Sequence, residues 1–224
     1  MGTYATCRGV RTGATLWRAT ADGPEHHIVP DGVMDLMWFQ GRLVVAGPDT
    51  RVYDVQAHTD QVTWGLQLAP GLAYALFGVP ADELTDRRVD LSELVTPQSD
   101  WGPEGDVAAS LERVFLDLWT RAEPDHTSLR MAASLDRAAR AGLSVRSTAR
   151  QHNLSERSLR RLSNRLFGYG PKTLVQIHRF HHALHLARAG APLGEAAATA
   201  GFADQAHFNR ETKRLTGTTP TTLL

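Results

Sequence analysis

Two segments in the second half of the chain repeat one pattern of turn, helix and stop at a fixed spacing. They are 153–171, NLSERSLRRLSNRLFGYGP, and 201–220, GFADQAHFNRETKRLTGTTP. Ser155 and Asp204 are suited to cap a helix N-terminus, and they stand 49 positions apart. The same offset relates an arginine, a helix-ending glycine and a proline: Arg161 and Arg210, Gly168 and Gly217, Pro171 and Pro220. The pattern predicts one helical unit built twice.

Each of these helices is preceded by a small residue and, four positions after it, by a residue that tolerates a positive φ. The pairs are Ala149 with Asn153, and Ala197 with Gly201. Two helices that cross closely need the small residue at the crossing, and the tight turn between them needs the positive φ. Glycine meets that need best, and asparagine is the next most tolerant residue. The spacing therefore predicts two helix-turn-helix units.

The helix after each turn has an apolar face and a polar face. Leu159, Leu162 and Leu166 recur at helical spacing in the first helix, and Phe208 and Leu215 take the inward positions in the second. Arginine, glutamine and asparagine can each bond a base edge in the DNA major groove through two hydrogen bonds. We therefore predict DNA-binding residues on the outward faces: Arg157, Arg160, Arg161, Asn164, Gln205, Asn209, Arg210 and Lys213.

Charge is unevenly distributed along the chain, although the formal net charge is zero. Residues 1–126 hold 9 arginines and 19 acidic residues, and residues 127–224 hold 15 basic and 5 acidic residues. This separation predicts two domains and a polyanion as the partner of the basic one; mutual attraction of the halves is the alternative. We place a β-rich effector or dimerisation domain with a terminal helix at 1–120 and the DNA-binding domain at 127–224.

The first hundred residues are rich in short apolar runs bounded by turn residues. A hairpin is expected through Gln40-Gly41-Arg42, helical turns within 80–95, and an amphipathic helix over 106–119. Four runs predict strands: 33–39, 43–46, 62–68 and 72–79. The predicted fold class is α+β in two domains. A β-rich barrel or sandwich, with a cupin-like form as one option, precedes an all-α domain with two helix-turn-helix subdomains.

Residues 127–224 resemble the DNA-binding domain of AraC/XylS-family transcription regulators. The resemblance is carried by LSERSLRRL with Gly168 and Pro171, by Arg179-Phe180 in the next helix, and by GFADQAHFNR and TGTTP near the end. It implies two helix-turn-helix subdomains joined by a long helix. Their recognition helices would enter successive major grooves, about 34 Å apart on one face of the DNA. By position, the resemblance adds Ala206 to the DNA-binding set.

The sequence departs from the family pattern inside both recognition helices. Ser163 and Thr212 stand where the family usually has an aromatic residue, which concerns the packing beneath the helices and not their outer faces. Asn153 replaces the usual turn glycine. The N-terminal half resembles the β-rich domain that precedes the DNA-binding part in a subset of these regulators, over HHIVPDGVMDLMW and PGLAYALFGVPADELTDRRVDLSEL. In the family, such domains sense small molecules or dimerise.

Metal chemistry is the main alternative function. Four histidines on the long helix include two pairs with the i, i+4 spacing of zinc ligands, but no third ligand accompanies them, so exposed or phosphate-contacting side chains are expected. They are His178, His181, His182 and His185. In a cupin-like domain, His26 and His27 could bind a metal with Asp31 and Asp35. Asp31, however, lies in a Pro-Asp-Gly turn, where aspartate has a structural function.

The predicted function is that of a cytoplasmic DNA-binding transcription regulator controlled through its N-terminal half, with no enzymatic activity and no cofactor. A single cysteine, Cys7, suits a reducing compartment, and no apolar run is long enough for a membrane span or a secretory signal. Expected partners are double-stranded DNA, a small-molecule effector, a second copy of the chain, and RNA polymerase for an activator. The alternative is a metal-dependent sensor or enzyme whose basic half only anchors it to nucleic acid.

Overall fold

The N-terminal half is built on antiparallel β-structure. The computed structural model describes residues 3–21, 25–56, 60–98, 101–102 and 105–224, without the side chains of 25–27 and 53–56. Its strands are β1 (Thr3–Arg8), β2 (Thr15–Thr20), β3 (Glu25–Ile28), β4 (Met34–Phe39), β5 (Arg42–Ala46), β6 (Tyr53–Gln56), β7 (Val62–Leu68) and β8 (Arg88–Asp90). One sheet has the order β1-β2-β7-β4-β5-β8, and β3 pairs with β6 in a second. The strand predictions at 33–39, 43–46 and 62–68 are confirmed.

The hairpin between β4 and β5 has the two-residue turn that the sequence predicts. Phe39 pairs with Arg42, so Gln40 and Gly41 form the turn. Both turn residues have positive φ, 49° and 78°. Two-residue turns of this kind match the right-handed twist of the flanking strands, which fixes the register of the hairpin.

Helices cover one face of the larger sheet and form the whole C-terminal half. They are α1 (Leu72–Phe77), α2 (Leu91–Leu94), α3 (Val107–Ala122), α4 (His126–Arg140), α5 (Val145–Gln151), α6 (Glu156–Phe167), α7 (Pro171–Arg188), α8 (Leu193–Thr199) and α9 (Gln205–Thr216), with 3-10 turns at Ala81–Leu84 and Pro220–Leu223. The helical turns predicted within 80–95 and the helix predicted over 106–119 are confirmed. None of the helices in the described ranges is long and apolar enough to cross a membrane.

The strand predicted over 72–79 is wrong, because this segment forms α1. Glycines in the left-handed conformation, Gly71 (φ 77°) and Gly78 (φ 69°), flank the helix at both ends. Its buried residues are Leu72, Ala73, Leu76 and Phe77, a spacing that places them on one side of a helix. Over eight mostly apolar residues, period alone does not separate a buried strand from a buried helix.

The buried apolar residues form two large clusters, one in each half of the chain. In the first, Leu36, Val45 and Leu66 project from the sheet onto α3, where Leu111 and Val114 are buried. The second lies between α4 and α9 and is centred on residues that are completely or almost completely buried: Leu159, Leu174, Ile177, Phe180, Phe208 and Leu215. The fold is thus a two-domain α+β fold, as predicted, with an antiparallel sheet region before a helical domain.

Candidate nucleic-acid interface

The first helix-turn-helix unit consists of α5 and α6. Ala149 is 3% exposed at the place where the two helices approach each other. Asn153 adopts a positive φ of 53° in the turn. The Ser155 hydroxyl accepts a hydrogen bond from the backbone N–H of Ser158 at 3.0 Å, which caps α6. The predicted turn and cap are confirmed.

The second unit, α8 and α9, repeats this geometry. Ala197 is completely buried, and Gly201 has a φ of 86°. The Asp204 carboxylate accepts a hydrogen bond from the backbone N–H of His207 at 2.6 Å and so caps α9. The repeat predicted from the 49-residue offset is therefore a repeat of structure, with the same turn conformation supplied by asparagine in one unit and glycine in the other.

The inward faces of α6 and α9 pack as predicted, and they show how the chain does without the aromatic residues usual in the family. Ser163 is 1% exposed, and its hydroxyl donates to the backbone carbonyl of Tyr169 at 2.7 Å. Thr212, at the same place in the repeat, is completely buried, and its hydroxyl has no hydrogen-bond partner. A small cavity with room for about one water molecule lies beside Ser163. The two departures thus differ in how well their polar atoms are satisfied.

The outward faces present the predicted DNA-binding side chains to solvent. Asn164 is half-buried, and the others are exposed: Arg157, Arg160, Arg161, Gln205, Ala206, Asn209, Arg210 and Lys213. Among the described residues, no hydrogen bond or ion pair engages the side chains of this set. By contrast, Arg214 on α9 pairs with Glu211 at 3.0 Å, and the guanidinium of Arg165 on α6 lies 5.1 Å from the ring centre of Tyr74. Both recognition helices thus carry polar groups available to bind an external partner.

Two of the four histidines of α7 are not exposed, contrary to the prediction. His178 is 7% exposed, and its Nε2 lies 2.9 Å from Oδ1 of Asp136. Nε2 of His181 lies 2.6 Å from the backbone carbonyl oxygen of Pro30 in the N-terminal half. The reason is that α7 passes through the centre of the helical domain, so only part of its circumference, including His182 and His185, faces solvent.

These contacts move the pKa values of two groups. Burial raises the pKa of Asp136, but hydrogen bonds from His178 and Arg140 outweigh it and hold the pKa below its usual range. Burial lowers the pKa of His181, because the charged imidazolium loses its hydration. Asp136 is therefore held as the carboxylate, and His181 is held as the neutral imidazole.

The N-terminal half contacts the end of the first recognition helix. The Tyr169 hydroxyl donates to the backbone carbonyl of Asp49 at 2.6 Å. The Asp49 carboxylate in turn binds Arg88 through both oxygens, at 2.7 and 2.8 Å. Gly168, which ends α6, lies against Pro48 and Thr85 so closely that a side chain there would overlap Pro48. Sequence reasoning missed Tyr169 and Asp49, because no local pattern shows which residues meet across 120 positions.

The N-terminal metal candidates are only partly described. The side chains of His26 and His27 lie outside the described residues. Asp31 accepts the backbone N–H of Val33 at 3.0 Å, which confirms its structural function in the turn. Asp35 accepts a hydrogen bond from Nε1 of Trp17 at 2.8 Å on the sheet face that points away from α3. Burial raises the pKa of Asp35 to about 7. Among the described residues, no group of three or more His, Cys, Asp or Glu could hold a metal ion.

Sequence profiles of known families match both parts of the chain. Residues 148–224 match a family described as a helix-turn-helix domain, of the AraC type. This part of the chain is an AraC-type helix-turn-helix domain. A domain of this kind supports a role in DNA-binding transcription regulation. Residues 14–90 match a domain family of unknown function, DUF6597. A comparison with curated protein sequences gives no significant match.

Solved structures similar to this chain include ToxT from Vibrio cholerae O395. It is 10% identical, with a TM-score of 0.53 over 98% of this chain and 96% of ToxT. ToxT from V. cholerae strain SCE256 with an unsaturated fatty acid bound is 9% identical, with a TM-score of 0.51 over 100% and 94%. At this identity the likeness shows the fold. A probable AraC family transcriptional regulator from Rhodopseudomonas palustris CGA009 is 22% identical over 42% of this chain and 93% of its own, with a TM-score of 0.37.

Proposed function

We propose that this regulator reads two neighbouring segments of the DNA major groove, one with α6 and one with α9. The observation that supports this most directly is the structural repeat. Two helix-turn-helix units hold the same turn conformation at Asn153 and Gly201, and each presents an exposed polar helix face. A single polar face is ordinary for a surface helix, whereas two at equivalent places in a basic domain favour a shared ligand with repeated charges.

The two helices would contribute different chemistry to recognition. Arg157, Arg160 and Arg161 offer planar guanidinium groups that suit guanine O6 and N7 or backbone phosphates. Gln205 and Asn209 offer amides that suit adenine N6 and N7. Because cations near phosphates release counterions, the affinity should fall steeply as salt rises. The first helix would then supply more of the electrostatic affinity, and the second more of the neutral hydrogen bonding.

A binding assay on purified full-length variants tests these roles. The probe is a DNA site selected from a random library by the wild-type protein. Arg161→Ala and Arg210→Ala should each weaken binding by about 1–3 kcal/mol for each lost base contact. Arg214→Ala is the matched control on α9, because it removes the same charge from a side chain already paired with Glu211. Equal losses in Arg210→Ala and Arg214→Ala would show that only total charge matters and would refute base reading by Arg210.

We also propose that the N-terminal half, with boundaries at 1–120 and 127–224, controls DNA binding through α6. What supports this is the asymmetry of the contacts. Tyr169 and Gly168, at the end of α6, meet Asp49 and Pro48, whereas a side chain added at Gly217, at the end of α9, would meet none of the described residues within 4 Å. A small shift of the N-terminal half would therefore move the first recognition helix. The expected inputs are a small-molecule effector or a second copy of the chain, and RNA polymerase would be the target of an activator in the cytoplasm.

We do not propose a fatty acid, the molecule bound in the ToxT structure, as the effector of this chain. A fatty acid carries a carboxylate, which a binding site would ordinarily match with a cation. The described part of the sheet face away from α3 carries the Asp35 carboxyl, and its Arg88 is held by Asp49. An effector of this chain is better matched by groups that donate hydrogen bonds.

A further inference from the structure

The helix α7 carries an arginine that contacts the loop leading into the first helix-turn-helix unit and the turn of the second. Arg179 is half-buried, and Nη2 of its guanidinium lies 3.5 Å from the backbone carbonyl oxygen of Gly142, in the loop between α4 and α5. The same group lies beside Gly201, in the turn between α8 and α9. A methyl group added to Gly201 would be 3.3 Å from Nε of Arg179 and 3.5 Å from its Cζ. One side chain thus spans the gap between the two units.

Both neighbours of this guanidinium are glycines in the left-handed conformation. The φ angles are 69° at Gly142 and 86° at Gly201. Neither glycine has a side chain, so the planar guanidinium can lie directly against both backbones. Lysine carries a charge and a donor but no planar group of this size, so it would not fill the space in the same way. The contact therefore depends on the shape of arginine as well as its charge.

We propose that Arg179 is a positioning residue that fixes the second recognition helix relative to the first. This inference rests on the proposed function, since it concerns the spacing between the two DNA segments that α6 and α9 read. The helix α7 has 18 residues and spans about 27 Å, so the two units are joined near its two ends. Arg179 stands at its middle and contacts the loop that leads into α5 and the turn between α8 and α9. Without it, rotation of the second unit about α7 is restrained by apolar packing, such as that of Phe180 on Phe208.

Two properties of recognition then depend on different residues. The outward faces of α6 and α9 determine which bases are read, and Arg179 determines how far apart the two segments must be. A change of one base pair in spacing moves the second segment by about 3.4 Å and rotates it by about 35° around the DNA axis. Rigidly joined units reject such a change, and loosely joined units tolerate it. Arg179 therefore sets spacing selectivity without touching a base.

The experiment uses the full chain and a binding site selected from random DNA by the wild type. Affinity is measured for that site and for versions with the two segments one base pair closer or farther apart. Arg179→Met should weaken binding to the selected spacing by about tenfold and leave binding to the altered spacings unchanged, so selectivity falls. Arg188→Met is the matched control: the same helix loses the same charge, but among the described residues the Arg188 guanidinium bonds the backbone carbonyl of Leu223 and neither helix-turn-helix turn. It should lower affinity for all three probes by one common factor.

Four outcomes would overturn the inference. An equal loss on all probes for Arg179→Met, as for the control, would reduce Arg179 to a source of charge, and an unchanged profile would show that it does not position the units. If Arg179→Met fails to fold, Arg179→Lys is measured instead: reduced selectivity supports the inference, and full wild-type selectivity overturns it. If the wild type selects no site with two segments, the proposed function fails, and this inference fails with it. If the wild type does select a two-segment site, the proposed function stands, and the Arg179 variants then test this inference alone.

Discussion

Gly168 and Gly217 end the two recognition helices in the same backbone conformation but in different surroundings. Their φ angles are 74° and 70°. Alanine at either position would adopt a left-handed conformation that costs about 1 kcal/mol. At Gly217 an added methyl group would meet no described residue within 4 Å, so Gly217→Ala should lower the free energy of unfolding by about 1 kcal/mol and no more.

At Gly168 the same methyl group would overlap Pro48, and it would lie 2.8 Å from the Thr85 hydroxyl oxygen. Neither the proline ring nor the nearby backbone carbonyl of Ala81 can rotate away, so α6 and the N-terminal half would have to separate. Overpacking of this kind costs about 1–3 kcal/mol. Gly168→Ala should therefore lower the free energy of unfolding by about 2–4 kcal/mol in total, well beyond the loss in Gly217→Ala.

Urea unfolding of the two variants beside the wild type measures this difference, and DNA binding of the same samples measures its functional effect. If the N-terminal half controls α6, Gly168→Ala should also change affinity for the selected DNA site, while Gly217→Ala changes it little. Equal stability losses in the two variants would refute the claim that the N-terminal half is packed on the first recognition helix. An unequal stability loss with equal DNA affinities would leave the packing intact and refute control through it.

Two further predictions concern buried polar groups. Thr212→Val removes a buried hydroxyl that has no partner among the described residues, so it should raise the free energy of unfolding by about 1 kcal/mol and Tm by about 2–4 °C. Ser163→Ala breaks the hydrogen bond to Tyr169 and should lower the free energy of unfolding. Calorimetry on both variants checks the two signs. Burial raises the pKa of Asp35 from 3.8 to about 7, so the folded protein binds a proton at Asp35 more tightly than the unfolded chain does. The resulting contribution to folding stability is fully present below pH 3.8 and is lost as pH rises through 7. Asp35→Asn should therefore be more stable than the wild type at pH 8, and this advantage should shrink towards pH 5; equal Tm differences at the two pH values would contradict the assignment.

The C-terminal half could be predicted almost element by element, because its signals are local. Caps such as Ser155 and helix-ending glycines such as Gly168 act within one turn of the backbone, and a 3.6-residue apolar period marks the buried face of α6. The N-terminal half was less predictable. The strand β1 was missed, because an exposed edge strand with the sequence TYATCR shows no alternation of apolar and polar residues. The strands β2, β3, β6 and β8 were missed as well.

The candidate interface could be predicted as a set of outward-facing residues, since helical period places them once the buried face is known. The contacts that connect it to the rest of the molecule could not. Tyr169 and Asp49 are 120 positions apart, and the buried state of His178 depends on Asp136 from another helix. Such pairs follow from how elements pack, and a single sequence carries no local sign of that packing.

The unequal surroundings of the two repeats bear on how new DNA specificities could be engineered. Substitutions on the outer face of α6 act on a helix whose end is held by Pro48 and Tyr169, so changes there can disturb stability and control together. The helix α9 ends at Gly217 with open space around it, and its exposed Gln205 and Asn209 make no bonds with other described residues. A library that varies only α9 should therefore retarget half of the binding site while the folded protein and its regulation stay as they are.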